Sequence, residues 1–300
     1  MSDAGTPPKP DRNRRRWAKR AVISVAGLYM LVCIMMYALQ DKLIFPGATT
    51  QGTAGARAVD TDDTELVSLF TADGTPVSAR FCRADHDAGR APTVLYFYGN
   101  GACAAWSVSE VELLRGLGCN VFVPDFTGYG LSGGKPSETG LYATATAAWK
   151  YLQKRPDIDH SKILTMGWSI GSAVAIDLAS REPVAGLITI SAFTRLSDAA
   201  SHQFPWLPVR LLLKYRFDNA SKLAAVRCPL LIIHGDQDTL VPPRMAETLA
   251  DISRGRASRL TLRGAGHNTV FSVDYPALRE ALRRFIQPIA DGVNLPADKR

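Results

Sequence analysis

Lys162–Ser180 reads K-I-L-T-M-G-W-S-I-G-S-A-V-A-I-D-L-A-S. A short apolar run enters a G-x-S-x-G turn and leaves it as a helix-like stretch, the local pattern of a strand, a sharp turn and a helix. Gly167 and Gly171 have no Cβ, so the backbone can reverse tightly and leave the Ser169 hydroxyl at the apex. The first amides of the following helix have no partner within the helix, and they are donors suited to a developing negative charge. Ser169 is therefore the expected nucleophile.

A serine hydroxyl near its free pKa attacks poorly, so a histidine must take its proton and a carboxylate must orient that histidine. The chain has five histidines, His86, His160, His202, His234 and His267. His86 lies in the polar loop D-H-D-A-G-R, and His160 precedes the strand leading to Ser169, which places it at the far end of that strand. His267 follows the strand-like R-L-T-L-R and a G-A-G turn, beyond a strand's C-terminal end, where open parallel sheets gather their functional loops. It is the expected base. His234 is its rival, ending P-L-L-I-I-H-G just before a loop that carries Asp236 and Asp238. Either aspartate can orient the base, and the other is then a turn former.

Seven separate segments carry a resemblance: Q-D-K-L-I-F-P-G, Y-G-N-G from Tyr98, D-F-T-G-Y-G-L-S-G-G-K-P-S-E-T-G-L-Y from Asp125, G-W-S-I-G, F-P-W-L-P-V-R, H-G-D-Q-D-T-L-V-P and G-A-G-H-N. Over about 250 residues the chain resembles the alpha/beta-hydrolase superfamily, and within it the membrane-anchored alpha/beta-hydrolase-domain serine hydrolases. In the family pattern H-G-x-x-D-x-x-V-P the acid is the last aspartate, so the resemblance implies Asp238 and leaves Asp236 to the loop. It also implies an oxyanion hole formed by the backbone amides of Asn100 and Ile170. Tyr98 stands where the family usually carries histidine, a departure that bears on the packing of that loop.

Strand-like runs occupy Glu65 to Phe70, Val77 to Cys82, Thr93 to Tyr98, Asn120 to Phe126, Lys162 to Trp168, Ala185 to Ser191, Pro229 to His234 and Arg259 to Arg263. The first two, joined by A-D-G-T-P, read as a hairpin. Helical spacing of apolar residues marks Glu110 to Leu117, Leu141 to Lys154, Arg244 to Ser253 and Tyr275 to Ile286. The expected fold class is α/β: an alpha/beta-hydrolase fold with a mostly parallel central sheet flanked by helices. Residues 40–300 form one domain in this reading, and 192–226 are a short lid insertion containing F-P-W-L-P-V-R-L-L-L-K-Y-R-F. The lid is read as a cover for the site, with contact to lipid headgroups as the alternative.

Residues 21–39 contain no charge. As a helix they span about 28 Å, close to a hydrocarbon core of about 30 Å, so they are expected to cross a bilayer as an uncleaved anchor. Residues 1–20 hold seven basic and two acidic side chains, five of the net seven positive charges of the whole chain. That bias is the positive-inside pattern, which makes 1–20 a cytoplasmic tail, places the hydrolase domain on the outer side, and removes the argument for nucleic acid as a partner.

Cys33, Cys82, Cys103, Cys119 and Cys228 form no C-x-x-C pair and fit no zinc spacing, and no H-E-x-x-H motif occurs. No metal and no cofactor are expected. The glycine-rich Asp125 to Gly134 lacks the G-K-[ST] ending of a nucleotide loop and reads as a tight structural loop. The resulting expectation is a membrane-tethered serine hydrolase with a small-molecule or lipid-like acyl substrate, cleaving an ester, thioester or amide. A serine aminopeptidase-like peptidase and a catalytically silent scaffold are the alternatives.

Overall fold

The computed structural model describes residues 12–57 and 64–293 and divides into two units, Met1–Gln40 and Asp41–Arg300. The first unit is most of α1 (Arg12–Ile44), a helix longer than the 21–39 core expected from the uncharged run. Arginine and lysine are good helix formers, so the basic stretch from Arg14 to Arg20 joins the helix. Pro46 ends it, because the residue before a proline is steered out of the α region. Among the described residues α1 is the one helix long and apolar enough to cross a membrane. Its apolar side chains are exposed, Ile23 at 70% and Leu28 at 63%. Residues 1–11 of the expected tail, including Lys9, lie outside the described residues.

Among the described residues the second unit has eight strands: β1 (Thr64–Phe70), β2 (Pro76–Cys82), β3 (Thr93–Phe97), β4 (Asn120–Pro124), β5 (Ile163–Trp168), β6 (Gly186–Ile190), β7 (Leu230–Gly235) and β8 (Ala257–Leu262). They form one sheet in the order β1-β2-β4-β3-β5-β6-β7-β8. Only the first hairpin and the β2–β4 pairing are antiparallel. From β4 to β8 every pairing is parallel. Every residue of β3, β4 and β6 is buried, which is why these strands read as largely apolar runs. β1, at one edge, instead alternates, burying Val67 and Leu69 and exposing Leu66 and Phe70.

The covering helices are α2 (Val108–Arg115), α3 (Glu138–Leu152), α4 (Ile170–Ala179), α8 (Arg244–Ile252) and α9 (Tyr275–Ala290). α4 is buried along its whole length beneath β5 and β6, which explains why it is apolar all round. Between β6 and β7 lie three short helices, α5 (Leu196–Gln203), α6 (Val209–Leu212) and α7 (Asn219–Leu223). None of the three carries an apolar repeat sustained over two turns, so the sequence predicts no elements within this stretch.

Candidate active site

Ser169 sits between β5 and α4 with φ 55° and ψ −118°, a strained conformation for a residue with a side chain. Its amide donates to the Ile190 carbonyl at 2.9 Å, and its carbonyl accepts from the Ser172 amide at 3.0 Å. The flanking glycines are required by contact. A Cβ on Gly167 would lie 2.2 Å from the Gly171 oxygen, and one on Gly171 would lie 2.0 Å from the Phe97 oxygen. The second approach also brings the end of β3 against the start of α4, and with it the loop that carries Asn100.

Three side chains distant in sequence meet at this turn. His267 Nε2 is 2.9 Å from Ser169 Oγ, and His267 Nδ1 is 2.8 Å from Asp238 Oδ2. Asp238 Oδ1 accepts from the amides of Leu240 at 3.0 Å and Val241 at 2.8 Å. Ser169 is half-buried, His267 and Asp238 are buried. Burial pushes the Asp238 carboxyl up, but hydrogen bonds from His234 and His267, the charge of His267 and the Val241 amide overcome it and hold the group well below the ordinary carboxylate range. Asp238 is thus an anion with its lone pairs occupied, and an imidazole donating Nδ1–H to it presents Nε2 as the proton acceptor for Ser169.

The remaining candidates separate from this cluster. Asp236 accepts from the Gly264 amide at 2.7 Å, a turn-forming bond. His160 lies ahead of β5, bonded at 2.7 Å to the Arg155 carbonyl. His234 does not reach Ser169 through any bond of its own; it lies against Asp238. Ile170 opens α4, so its amide belongs to the helix's unpaired first turn. Asn100 is held from three sides: its side chain donates to Ile44 O at 2.9 Å, and its carbonyl accepts from the Gly47 amide at 2.9 Å and from Tyr129 Oη at 3.1 Å. The segment Ile44–Gly47, directly after the expected anchor, therefore braces the Asn100 loop.

Tyr98 takes a structural position below that loop. Its hydroxyl donates to Asp125 Oδ1 at 3.1 Å and accepts from the Phe126 amide at 3.0 Å. Asp125 also accepts from the amides of Ala104 at 2.7 Å and Leu131 at 2.9 Å, so one buried carboxylate ties the ends of two strand loops together. Sequence alone does not single out Trp168, which lies beside the imidazole, or Phe271, which packs on Trp168. The Trp168 ring lies 6.2 Å from that of His267 and meets Phe271 edge-on at 5.4 Å. The position of Trp168 inside G-W-S-I-G was the available signal.

α5 closes over the acid loop through Gln203, whose amide donates to the Thr239 and Leu240 carbonyls at 2.6 and 3.1 Å. The segment after α6 is pinned to α3, because Glu138 accepts from the amides of Arg216 at 2.7 Å and Phe217 at 2.9 Å. Phe45 stacks edge-on with Tyr215 at 5.0 Å. Leu207 and Val209 are buried, whereas Trp206 and Leu211 face outward, the latter 86% exposed.

Residues 92–221 match the family model described as alpha/beta hydrolase fold. An uncharacterised protein of Mycobacterium tuberculosis is 36% identical over 202 residues, covering 67% of this chain and 72% of the relative. The alpha/beta hydrolase domain-containing protein aho-3 of Caenorhabditis elegans is 35% identical over 209 residues, 68% of this chain and 60% of the relative. Among solved structures, an alpha-beta hydrolase from Vibrio vulnificus superposes with a TM-score of 0.66 at 18% identity, covering 81% of this chain and 92% of that one. The Pyrococcus furiosus esterase Pf2001 does so with a TM-score of 0.64 at 18% identity, over 78% and 96% of the two chains. At such identity these two share the fold.

Proposed function

The chain belongs to the alpha/beta-hydrolase family, and from that premise we propose that it is a membrane-anchored serine hydrolase that cleaves a carboxylic ester, thioester or amide through an acyl-enzyme. One observation carries the reading: the continuous chain of hydrogen bonds from Ser169 Oγ through His267 to Asp238 at the C-terminal edge of the sheet.

In this reading Ser169 Oγ attacks the substrate carbonyl while its proton passes to His267 Nε2. Negative charge gathers on the carbonyl oxygen and is received by the amides of Asn100 and Ile170. The imidazolium, stabilised by Asp238, returns the proton to the leaving group, and the C–O, C–S or C–N bond breaks to leave an acyl-Ser169 ester. Water, deprotonated by His267, then releases the acid and restores the serine. The exposed apolar face of α1 supports bilayer insertion, since in water it would be a large uncovered patch. The basic residues preceding it support a cytoplasmic N-terminus and an outer domain. Residues 192–226 act as the lid over the acyl group.

The test is fluorophosphonate labelling of the full chain in detergent, followed by a panel of short acyl esters, thioesters and peptide anilides. Ser169→Ala removes labelling and lowers turnover by about 10⁶-fold. Undiminished labelling of Ser169→Ala refutes the assignment, and preference for anilides over esters redirects it to a peptidase.

A further inference from the structure

Asp238 is met by two imidazoles. Its Oδ2 lies 2.8 Å from His267 Nδ1 and 3.3 Å from His234 Nε2. His234, next to last in β7, has 2% of its surface exposed, and its Nε2 is also 2.8 Å from the Val241 carbonyl. Both neighbours of this nitrogen are acceptors, so it carries the ring proton. Nδ1 is buried and makes no hydrogen bond among the described residues, so a proton there would have no acceptor. Nε2–H therefore donates to the Val241 carbonyl of the acid loop, and the carboxylate oxygen that holds the base lies 3.3 Å from the same nitrogen.

We infer that His234 is a positioning residue for the Ser169–His267–Asp238 relay: its Nε2–H, bonded to Val241 O and lying beside Oδ2, holds the acid loop and its carboxylate toward His267 and, by drawing charge from Oδ2, sets the pH at which His267 becomes a free base. The inference rests on the serine-hydrolase reading above. The N–H dipole beside Oδ2 makes the effect electronic as well as steric, because it draws negative charge from the oxygen that holds His267. The surroundings leave this coupling undisturbed. β6 runs on into the uncharged Ser191, whose amide bonds Ile233 O, and on the other side His234 pairs with Thr261 of β8. α8 turns Met245, Ala246 and Leu249 inward and exposes its charged Arg244, Glu247 and Asp251. Asp236 is engaged by the Gly264 amide.

Removing the His234 donor leaves more negative charge on Oδ2, stabilises the His267 imidazolium and raises its pKa. The acidic limb of kcat/KM, where protonation of His267 stops the reaction, then moves to higher pH. The experiment compares wild type, His234→Phe and His234→Gln as full-length proteins in detergent, using hydrolysis of a p-nitrophenyl acyl ester across pH and the His267 titration followed by imidazole NMR. For His234→Phe the expected result is an upward shift of the limb by about 0.5 to 1 pH unit and a fall in kcat of about tenfold with KM nearly unchanged. His234→Gln, whose side-chain NH₂ reaches the same place, returns the limb to its wild-type position. An unmoved limb in folded His234→Phe, or Gln behaving as Phe does, overturns the inference. Wild-type NMR decides the matter without any substitution: His234 is expected as the neutral Nε2–H tautomer, and finding Nδ1–H refutes it. Failure of the underlying reading looks different, since wild type would then hydrolyse no acyl ester while the His267 titration still moved with His234→Phe.

Discussion

At Gly171 the absence of one methyl group sets the geometry of the turn. Because a Cβ there would meet the carbonyl of Phe97 at 2.0 Å, backbone against backbone, Gly171→Ala must push β3 away from α4. The expected cost is about 3 kcal/mol, read as a lowered urea midpoint, with slower probe labelling because the Asn100 loop moves with β3. Asp238 makes a second prediction. Its folded-state pKa is depressed despite burial, so its contribution to stability is complete above about pH 4, the unfolded value, and is lost as pH falls through the folded value. Asp238→Asn therefore flattens the acid side of the stability curve measured by urea midpoints between pH 2 and 5. The same change lowers kcat by about 10⁴, since the amide favours the wrong imidazole tautomer.

At the level of elements, the α3 N-terminus acts as a clasp. Ser137 caps it by accepting from the Gly140 amide at 3.0 Å, and the next residue, Glu138, receives two amides from the segment following α6. Tyr142 donates to the same carboxylate at 3.0 Å, which fixes it for that purpose. Glu138→Ala frees both amides and loosens the 204–217 segment without touching Ser169. Limited proteolysis is expected to cut within that segment faster in the variant, and KM is expected to change more than kcat; equal protection would show that the helices of this insertion hold themselves. Ser137→Ala, by contrast, removes only a cap and is expected to cost about 1 kcal/mol, seen as a modest fall in Tm.

For the whole molecule the charge distribution gives the boldest prediction. With five of seven net positive charges placed before the uncharged run, protease added outside intact cells or spheroplasts is expected to degrade the hydrolase domain and spare the tail; a protected domain reverses the orientation. The fold itself was legible because its signals are local. Eight strands were read from period and turn chemistry, with ends shifted by one or two residues where the last hydrogen bonds of a ladder fall, as at Ala257 in β8. The short helices α5 to α7 were not legible, since they are set by tertiary contacts such as Gln203 on the acid loop. The sequence alone determined that a serine stands on a glycine-flanked strand-to-helix turn and that an uncharged run of bilayer length precedes the domain, because backbone sterics and side-chain polarity act over a few residues. Only the tertiary structure decided that His267 reaches Ser169 while His234 turns to Asp238, and that Ile44–Gly47 braces the Asn100 loop. Those outcomes depend on distances across parallel strands and between remote loops, which no stretch of neighbouring residues encodes.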